Sequence, residues 1–165
     1  MTAARAATLA DALAQVGSGA PVIVEALLEG VRVQVHLDGG EATAFGADGA
    51  ELPELQPQLA AALAGVDATS AVFDGVVSDA GVHLIDCLAL DGEDLRGRPL
   101  MERLGALGEA APYVLMVERV TAEFPAWGES FAEHVRTRGH GGVVVKDPAS
   151  HYDPALTGAW ARVEW

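Results

Sequence analysis

Residues 24–36 constrain the fold of this chain more than any other stretch of its sequence. They read VEALLEGVRVQVH, with apolar residues at alternating positions on both sides of Glu29-Gly30. Alternation with a period of two is typical of a strand with one buried face, and a glycine-containing pair between two such runs indicates a turn. The stretch therefore predicts two strands that pair with each other across a tight turn.

The rest of the sequence alternates short apolar runs with turn signals and a few amphipathic segments. Helices are predicted over 3–16, 55–64, 99–107 and 126–137, and further strands over 41–45, 70–77, 82–90, 113–120, 142–146 and 159–164. This order of elements predicts an α+β fold in which antiparallel sheets are flanked by helices. The 165 residues, half of them hydrophobic, are expected to form a single domain, 1–165, with its own core.

Acidic residues dominate the charge of the chain. It carries 24 Asp and Glu against 10 Lys and Arg, which gives a formal net charge of −14. Only one of the basic residues is a lysine, Lys146. A protein that binds nucleic acid neutralises phosphates with basic side chains, and long-range repulsion would act against such binding here. Nucleic acid is therefore not expected as a partner.

The sequence also gives expectations for the cellular compartment of the protein and for metal binding. No apolar run approaches the roughly 20 residues of a membrane helix, and residues 1–16 lack the pattern of a signal peptide. A cytoplasmic protein without membrane association is expected. Cys87 is the only cysteine, so it is interpreted as a small core residue. The five histidines show no metal-ligand spacing, and no metal site is predicted.

Several segments in chain order resemble the motifs of the ATP-dependent DNA ligases. Residues 24–36 are similar to the motif K-x-D-G-x-R in its usual context E-x-K-L-D-G-V-R-V-Q-V-H, with Glu29 in place of the aspartate. Later segments with similar matches are 43–49, 71–76, 84–100, 141–152 and 160–164. The resemblance covers nearly the whole chain. It implies the DNA-ligase-like nucleotidyltransferase fold, which is ATP-grasp-like.

The sequence departs from this family's pattern at the positions that carry its chemistry. The nucleophilic lysine is replaced by Leu27, the metal-side glutamate by Val76, and the aromatic that stacks on adenine by Ile85. Gly141 and Ala47 stand for a ribose-side glutamate and a phosphate-side arginine. A leucine has no amine to attack an α-phosphate, so self-adenylation is not expected and ATP and Mg²⁺ are not predicted as cofactors. Because the sequence stops after the last motif, the OB-fold domain of the family is expected to be absent.

Polar residues remain at several positions of the resemblance. It implies that Glu25 reads the edge of adenine and that Lys146 contacts the α-phosphate. Lys146, Arg32 and Glu29 are the candidate catalytic residues. Structural alternatives stay open: Arg32 can pair with Glu29 or Asp74, Asp74-Gly75 can serve a turn, and Lys146 can be merely electrostatic.

The direction of the replacements suggests a changed function. Aliphatic residues at the nucleotide site predict a pocket for a small, largely apolar metabolite, with a non-ligase step such as a cyclisation or rearrangement in secondary metabolism. The alternatives are a collapsed pocket in a non-catalytic nucleotide-binding or regulatory protein and, least favoured, a true ligase. The predicted ligand-binding residues are Glu25, Leu27, Asp74, Val76, Ile85, Val144 and Arg162.

Overall fold

The computed structural model describes residues 1, 3–17, 21–153 and 158–165. These residues form two compact units. The first unit is built from Met1–Leu28 and Val117–Trp165, and the second unit from Glu29–Met116. Each unit contains one sheet and two α-helices among the described residues, so the predicted α+β layout with mainly antiparallel sheets and flanking helices is confirmed.

In chain order the elements are β1 (Ala4–Arg5), α1 (Leu9–Val16), β2 (Val22–Ala26), β3 (Val31–Asp38), β4 (Glu41–Phe45), α2 (Gln56–Leu63), β5 (Ser70–Ser78), β6 (Gly81–Leu90), β7 (Glu93–Asp94), α3 (Leu100–Ala110), β8 (Leu115–Met116), β9 (Arg119–Ala122), α4 (Pro125–Thr137), β10 (Gly142–Lys146) and β11 (Trp160–Glu164). None of the helices in the described ranges combines the length and the apolar composition that a membrane crossing needs.

The sheet of the first unit has the strand order β1-β11-β10-β2-β9. Strand β1 runs parallel to β11, and the other neighbours are antiparallel. Every residue of the interior strand β2 is buried, because a strand borders it on each side and helix α4 contacts it. Helix α1 begins where the hydroxyl of Thr8 accepts a hydrogen bond from the backbone N–H of Asp11, a typical N-cap.

The sheet of the second unit has the order β4-β3-β5-β6-β7, and β8 pairs in parallel with β6. Its core is one apolar cluster in which Phe73, Leu84 and Leu59 are fully buried. Helix α3 is tied to β6 by a buried ion pair, since Arg103 donates to both carboxylate oxygens of Asp86 at 2.9 and 2.8 Å. Both side chains are fully buried.

The predicted hairpin over residues 24–36 is wrong, although both of its strands exist. Strand β2 belongs to the sheet of the first unit, and β3 pairs with β4 and β5 in the second unit. Alternation in sequence marks each strand, but the partner of a strand depends on which surfaces cover it. Gly30 serves a close backbone approach rather than a hairpin turn, because a Cβ there would lie 2.4 Å from the carbonyl oxygen of Val77.

Other boundaries also differ from the predictions. The first helix begins at Leu9, because residues 4–5 instead form β1 and pair with Ala161 and Arg162. The strand predicted over 113–120 is divided into β8 in the second unit and β9 in the first unit. The sequence also predicts a glycine-rich break over residues 17–19, of which residues 18–19 lie outside the described residues.

Two glycine-to-alanine changes are expected to have opposite effects on stability. Gly105 lies inside α3 with open space where a Cβ would be, so Gly105→Ala is expected to stabilise by about 0.5–1 kcal/mol through helix propensity. In Gly142→Ala the new Cβ would lie 2.1 Å from the backbone oxygen of Val163, and a loss of more than about 1 kcal/mol is expected. Urea unfolding of both variants measures the two changes; a destabilised Gly105→Ala would contradict the helix geometry.

Candidate functional site

The first unit contains a buried ion pair between two predicted site residues. Lys146 Nζ lies 2.5 Å from Glu25 Oε2, and the two residues are 1% and 2% exposed. The register explains the contact: Val144 is opposite Glu25, and Lys146 is two residues further along β10 on the same face. Such diagonal neighbours on antiparallel strands are within reach of long side chains. The sheet therefore brings Glu25 and Lys146 together.

Two further side chains complete this cluster. The ammonium of Lys146 lies 4.1 Å from the centroid of the Trp160 ring, a cation–π distance, and the Trp160 indole N–H donates to the Ser150 hydroxyl. On the other edge of β2, Arg119 is opposite Glu25, and its Nε lies 3.5 Å from Glu25 Oε1. Glu25 thus lies between two cations, one on each neighbouring strand.

The cluster is under-satisfied in hydrogen bonds. Lys146 Nζ, Arg119 Nη2 and Glu25 Oε1 are buried and have no hydrogen-bond partner among the described residues. The Lys146–Glu25 contact at 2.5 Å is an ion pair. A buried donor or acceptor without a hydrogen-bond partner costs free energy, so two donors and one acceptor of this kind in one place mark a candidate binding site.

The other predicted residues of the first unit have simpler surroundings. Leu27 is half-buried, and its backbone N–H donates to the carbonyl of Gly142. Val144 is half-buried in β10 and lies between Glu25 and Arg162 in the sheet. The side chain of Arg162 is 46% exposed, and its guanidinium lies 3.5 Å from Glu164. A surface pair of this kind contributes little to stability.

In the second unit, the structure brings Arg32 and Asp74 together. Arg32 donates to both carboxylate oxygens of Asp74 at 3.0 and 2.5 Å, and Asp74 is 1% exposed. Of the two pairings left open for Arg32, this is the observed one, and Glu29 is exposed. Asp74-Gly75 lies inside β5 at a register shift, so the turn suggested for it is wrong. Gly75 is needed because a Cβ there would lie 2.9 Å from the His83 carbonyl oxygen.

Val76 and Ile85 are buried strand residues of the second unit. Val76 is opposite Arg32 and His83, and Ile85 lies at the register shift of β6. They are 8% and 9% exposed. Leu27 belongs to the first unit. The predicted common cavity of these three residues stays a prediction.

The residues present do not fit a divalent metal ion. Within the described ranges, no three His, Cys, Asp or Glu side chains are grouped so that they could hold one. Both carboxylate oxygens of Asp74 accept hydrogen bonds from Arg32, and Glu25 lies between two cations. Val76 and Gly141 supply no carboxylate. Magnesium prefers carboxylate oxygens that are free to bind it, and these side chains do not offer them.

The described residues of the first unit also form a cavity of about 320 Å³ beside α4 and β11. Arg136 stacks there on Trp165, 4.4 Å from the ring centroid. None of the predicted site residues lines this cavity, whose lining is Ala7, Thr8, Leu9, Glu129, Ala132, Glu133, Arg136, Val163, Glu164 and Trp165.

Comparison with solved structures agrees with this fold. The chain aligns over 99% of its length with the ligase domain of LigD from M. tuberculosis, with a TM-score of 0.75, 24% identity and 58% of that chain covered. A mycobacterial DNA ligase D complexed with ATP and MES gives a TM-score of 0.69 at 23% identity, covering 98% of this chain and 60% of that one. The fold is therefore the nucleotidyltransferase fold of DNA ligases.

The sequence comparisons extend this from fold to family. A family model described as ATP dependent DNA ligase domain matches residues 76–163, so the chain belongs to the ATP-dependent DNA ligase family. A probable DNA ligase of Rhodococcus opacus is 34% identical over 194 residues, and one of Streptomyces griseus is 32% identical over 202. Each alignment covers 99% of this chain, which spans 37% and 39% of these relatives.

These findings confirm the resemblance and correct the predicted function. The prediction of a pocket for an apolar metabolite in secondary metabolism is wrong, because the relatives named as probable DNA ligases point to a DNA-ligase-like function. That function was the least favoured in the sequence analysis. The replacements at Leu27, Val76 and Ile85 were given more weight than the agreement along the rest of the chain.

Arg119 is the residue of the cluster that the sequence analysis missed. It lies in a segment that was predicted as part of one strand over 113–120. The available signal was the charged pair Glu118-Arg119 between Val117 and Val120. That signal marks an arginine on a strand, but the position of Arg119 opposite Glu25 depends on strand order, which a local pattern does not contain.

Cys87, next to Asp86 in the core of the second unit, is expected to be unreactive in the folded protein. Burial, followed by the charge of Asp86, raises the pKa of its thiol from 9.0 to about 12. A thiol reagent should label it only after denaturation. As the pH rises above 9.0, the unfolded chain loses the thiol proton first, so stability should fall until about pH 12. Cys87→Ala, which cannot titrate, should lack this contribution; fast labelling of native protein would contradict the burial.

Proposed function

We propose that this chain acts in DNA strand joining as a ligase-type nucleotidyltransferase unit and that it supports the sealing of ends that already carry AMP. The observation that carries the proposal is the buried Glu25–Lys146 pair, which is kept in a chain with Leu27 at the position of the nucleophile. Family membership supports the general function. Leu27 cannot act as the nucleophile of self-adenylation, so the step proposed for this chain is the sealing step.

Self-adenylation and sealing, two steps of the ligase reaction, need different chemical groups. In self-adenylation, an amine attacks the α-phosphate of ATP and expels pyrophosphate, and a leucine side chain has no lone pair for this attack. In sealing, a 3′-hydroxyl attacks a 5′-phosphate that carries AMP. The new P–O bond forms at the 3′ oxygen, the anhydride P–O bond breaks, AMP leaves with the electron pair, and the hydroxyl proton passes to solvent. No protein nucleophile takes part.

The side chains of this protein would contribute by binding and by neutralising charge. Lys146 and Arg119 present cationic donors in a buried setting, where they interact more strongly with a phosphate than they would in water. Glu25 holds both cations in place. Fixed donors of this kind stabilise the charge that develops on a phosphate during displacement.

A nick-sealing assay tests the proposal. The substrate is a nicked duplex with a 5′-adenylated end, used at low salt because the charge of −14 opposes DNA binding. We expect sealed product and released AMP, and a loss of about 100-fold in rate for Lys146→Met, as for removal of one stabilising donor. Arg96→Gln, an exposed residue of the second unit, is the matched control. Absence of product from the adenylated nick would refute the proposal.

The companion experiment tests the missing nucleophile. With radiolabelled ATP and a divalent metal, the wild-type protein should give no covalent nucleotidyl-protein. Leu27→Lys alone should not restore labelling, because Val76 and Gly141 still provide no carboxylate. Labelling of the wild type that disappears in Lys146→Met would show that Lys146 is itself the nucleophile and would overturn the assignment of the sealing step.

A further inference from the structure

The ammonium of Lys146 is contacted from both neighbouring strands of its sheet. From β2, Glu25 Oε2 lies 2.5 Å from Lys146 Nζ, and from β11 the centroid of the Trp160 ring lies 4.1 Å from it. Glu25 also lies 3.5 Å from Arg119, so its carboxylate is shared between two cations. Trp160 is directly opposite Lys146 in the ladder of β10 and β11 and is 2% exposed. Side chains of such opposite residues lie close to each other.

An aromatic contact has a particular effect on a lysine. The ammonium is a compact charge at the end of a flexible four-carbon chain, so it holds one position only where contacts restrict it. The face of an indole ring is negative and attracts a cation, more strongly where water is excluded, and Lys146 is 1% exposed. The ring accepts no conventional hydrogen bond from the ammonium. Trp160 can therefore fix the charge of Lys146 while the N–H donors stay available.

The turn over residues 147–150 sets the orientation of the Trp160 ring. The indole N–H of Trp160 donates to the Ser150 hydroxyl at 3.2 Å, and this hydroxyl donates to the carbonyl of Asp147 at 2.7 Å. The backbone N–H of Ser150 donates to the same carbonyl at 3.1 Å. Asp147 follows Lys146 directly in the chain. The contacts thus form a closed loop from Lys146 through the turn and the indole back to the ammonium.

We propose that Trp160 is a positioning residue for Lys146 and that the turn 147–150 acts on its ring through Ser150. A side chain that only fills the core needs apolar volume, but it needs neither an anchored indole N–H nor a ring face against a cation. This inference deepens the proposed function and rests on it only for the use that strand sealing makes of the ammonium. The placement of the ammonium is tested separately.

Nuclear magnetic resonance can measure this placement, because Lys146 is the only lysine of the chain. Protein grown with ¹³C-labelled lysine gives one Cε signal, and the ring current shifts protons above an aromatic face to lower frequency. We expect the wild-type Hε signals well below those of free lysine. Trp160→Leu should return them close to the free-lysine position, and Trp160→Phe should keep a reduced shift. Wild-type signals in Trp160→Leu would overturn the proposal.

A second variant tests the turn and does not depend on removing the ring. Ser150→Ala keeps Trp160 but removes the acceptor of its indole N–H, so the Lys146 signals should move part of the way towards free lysine. Trp165→Leu is the matched control, because Trp165 stacks on Arg136 instead, and it should leave these signals unchanged. Signals of Ser150→Ala at the wild-type position would refute the part assigned to the turn.

The sealing assay connects the placement to the reaction. If the fixed ammonium acts in the transition state, Ser150→Ala and Trp160→Leu should lower kcat several-fold with little change in KM, and Trp160→Phe should recover part of the loss. An unchanged kcat in a variant whose Lys146 signals have moved would refute the positioning role in sealing. If the wild type seals no adenylated nick, the proposed function fails, whereas the Lys146 signals still decide whether Trp160 places the ammonium.

Discussion

Replacing Arg103 with methionine is expected to lower the free energy of unfolding of the second unit by about 3–5 kcal/mol. The reason is that the guanidinium neutralises a fully buried carboxylate: it donates to both oxygens of Asp86 and also to the carbonyl of Arg98. Methionine fills much of the volume but leaves the charge of Asp86 without this cation. Loss of one partner of a buried pair costs far more than loss of a surface pair.

The measurement needs a reporter inside the second unit, which contains no tryptophan. Cys87 provides one, because its thiol is fully buried in the core cluster of that unit. Thiol labelling against urea concentration then gives the midpoint. Arg96→Met, in an exposed pair with Asp94, is the control and should leave the urea midpoint essentially unchanged. An equally small shift of the urea midpoint in Arg103→Met would show that the buried ion pair contributes little to stability.

Glu25→Gln is expected to have an effect of similar size on the first unit, about 3–5 kcal/mol of destabilisation. The substitution keeps the shape of the side chain but removes the one negative charge between Arg119 and Lys146. Two cations then face each other with no counter-charge. Lys146→Met should cost much less, about 1–2 kcal/mol, because Glu25 keeps Arg119 as its partner.

This asymmetry can be measured by urea unfolding with tryptophan fluorescence, since Trp160 lies directly beside Lys146. Glu118→Gln is the matched control in the same unit, because Glu118 pairs with Arg138 at the surface. It should change stability by no more than about 1 kcal/mol. Equal losses in Glu25→Gln and Lys146→Met would contradict the charge balance described for the cluster.

The sequence predicted individual strands better than it predicted their partners. Strands such as β4 and β10 were predicted at their observed bounds, because alternation and flanking turn residues are local signals. The hairpin over residues 24–36 was wrong because pairing depends on segments about a hundred residues away: β2 pairs with β9 and β10. No local pattern encodes such a choice.

In the candidate site, too, local motifs identified some residues, while others are brought in only by the order of the strands. Glu25 and Lys146 could be proposed from sequence because they lie in motifs with long matching flanks. Arg119 could not, because its importance comes from its place across from Glu25 in the sheet. The buried pair of Asp86 and Arg103 was also hidden, since charged residues in a sequence are ordinarily read as exposed.

The course of the chain through the first unit has a consequence for biosynthesis. Strand β2 is made before Glu29–Met116, but both of its neighbours in the sheet, β9 and β10, follow that whole segment. During translation the second unit is thus complete as a continuous segment while β2 still lacks both partners. Contacts between distant segments form slowly, and unpaired apolar strands associate with other chains. Residues 22–26 are therefore the segment of a nascent polypeptide that a chaperone would need to protect.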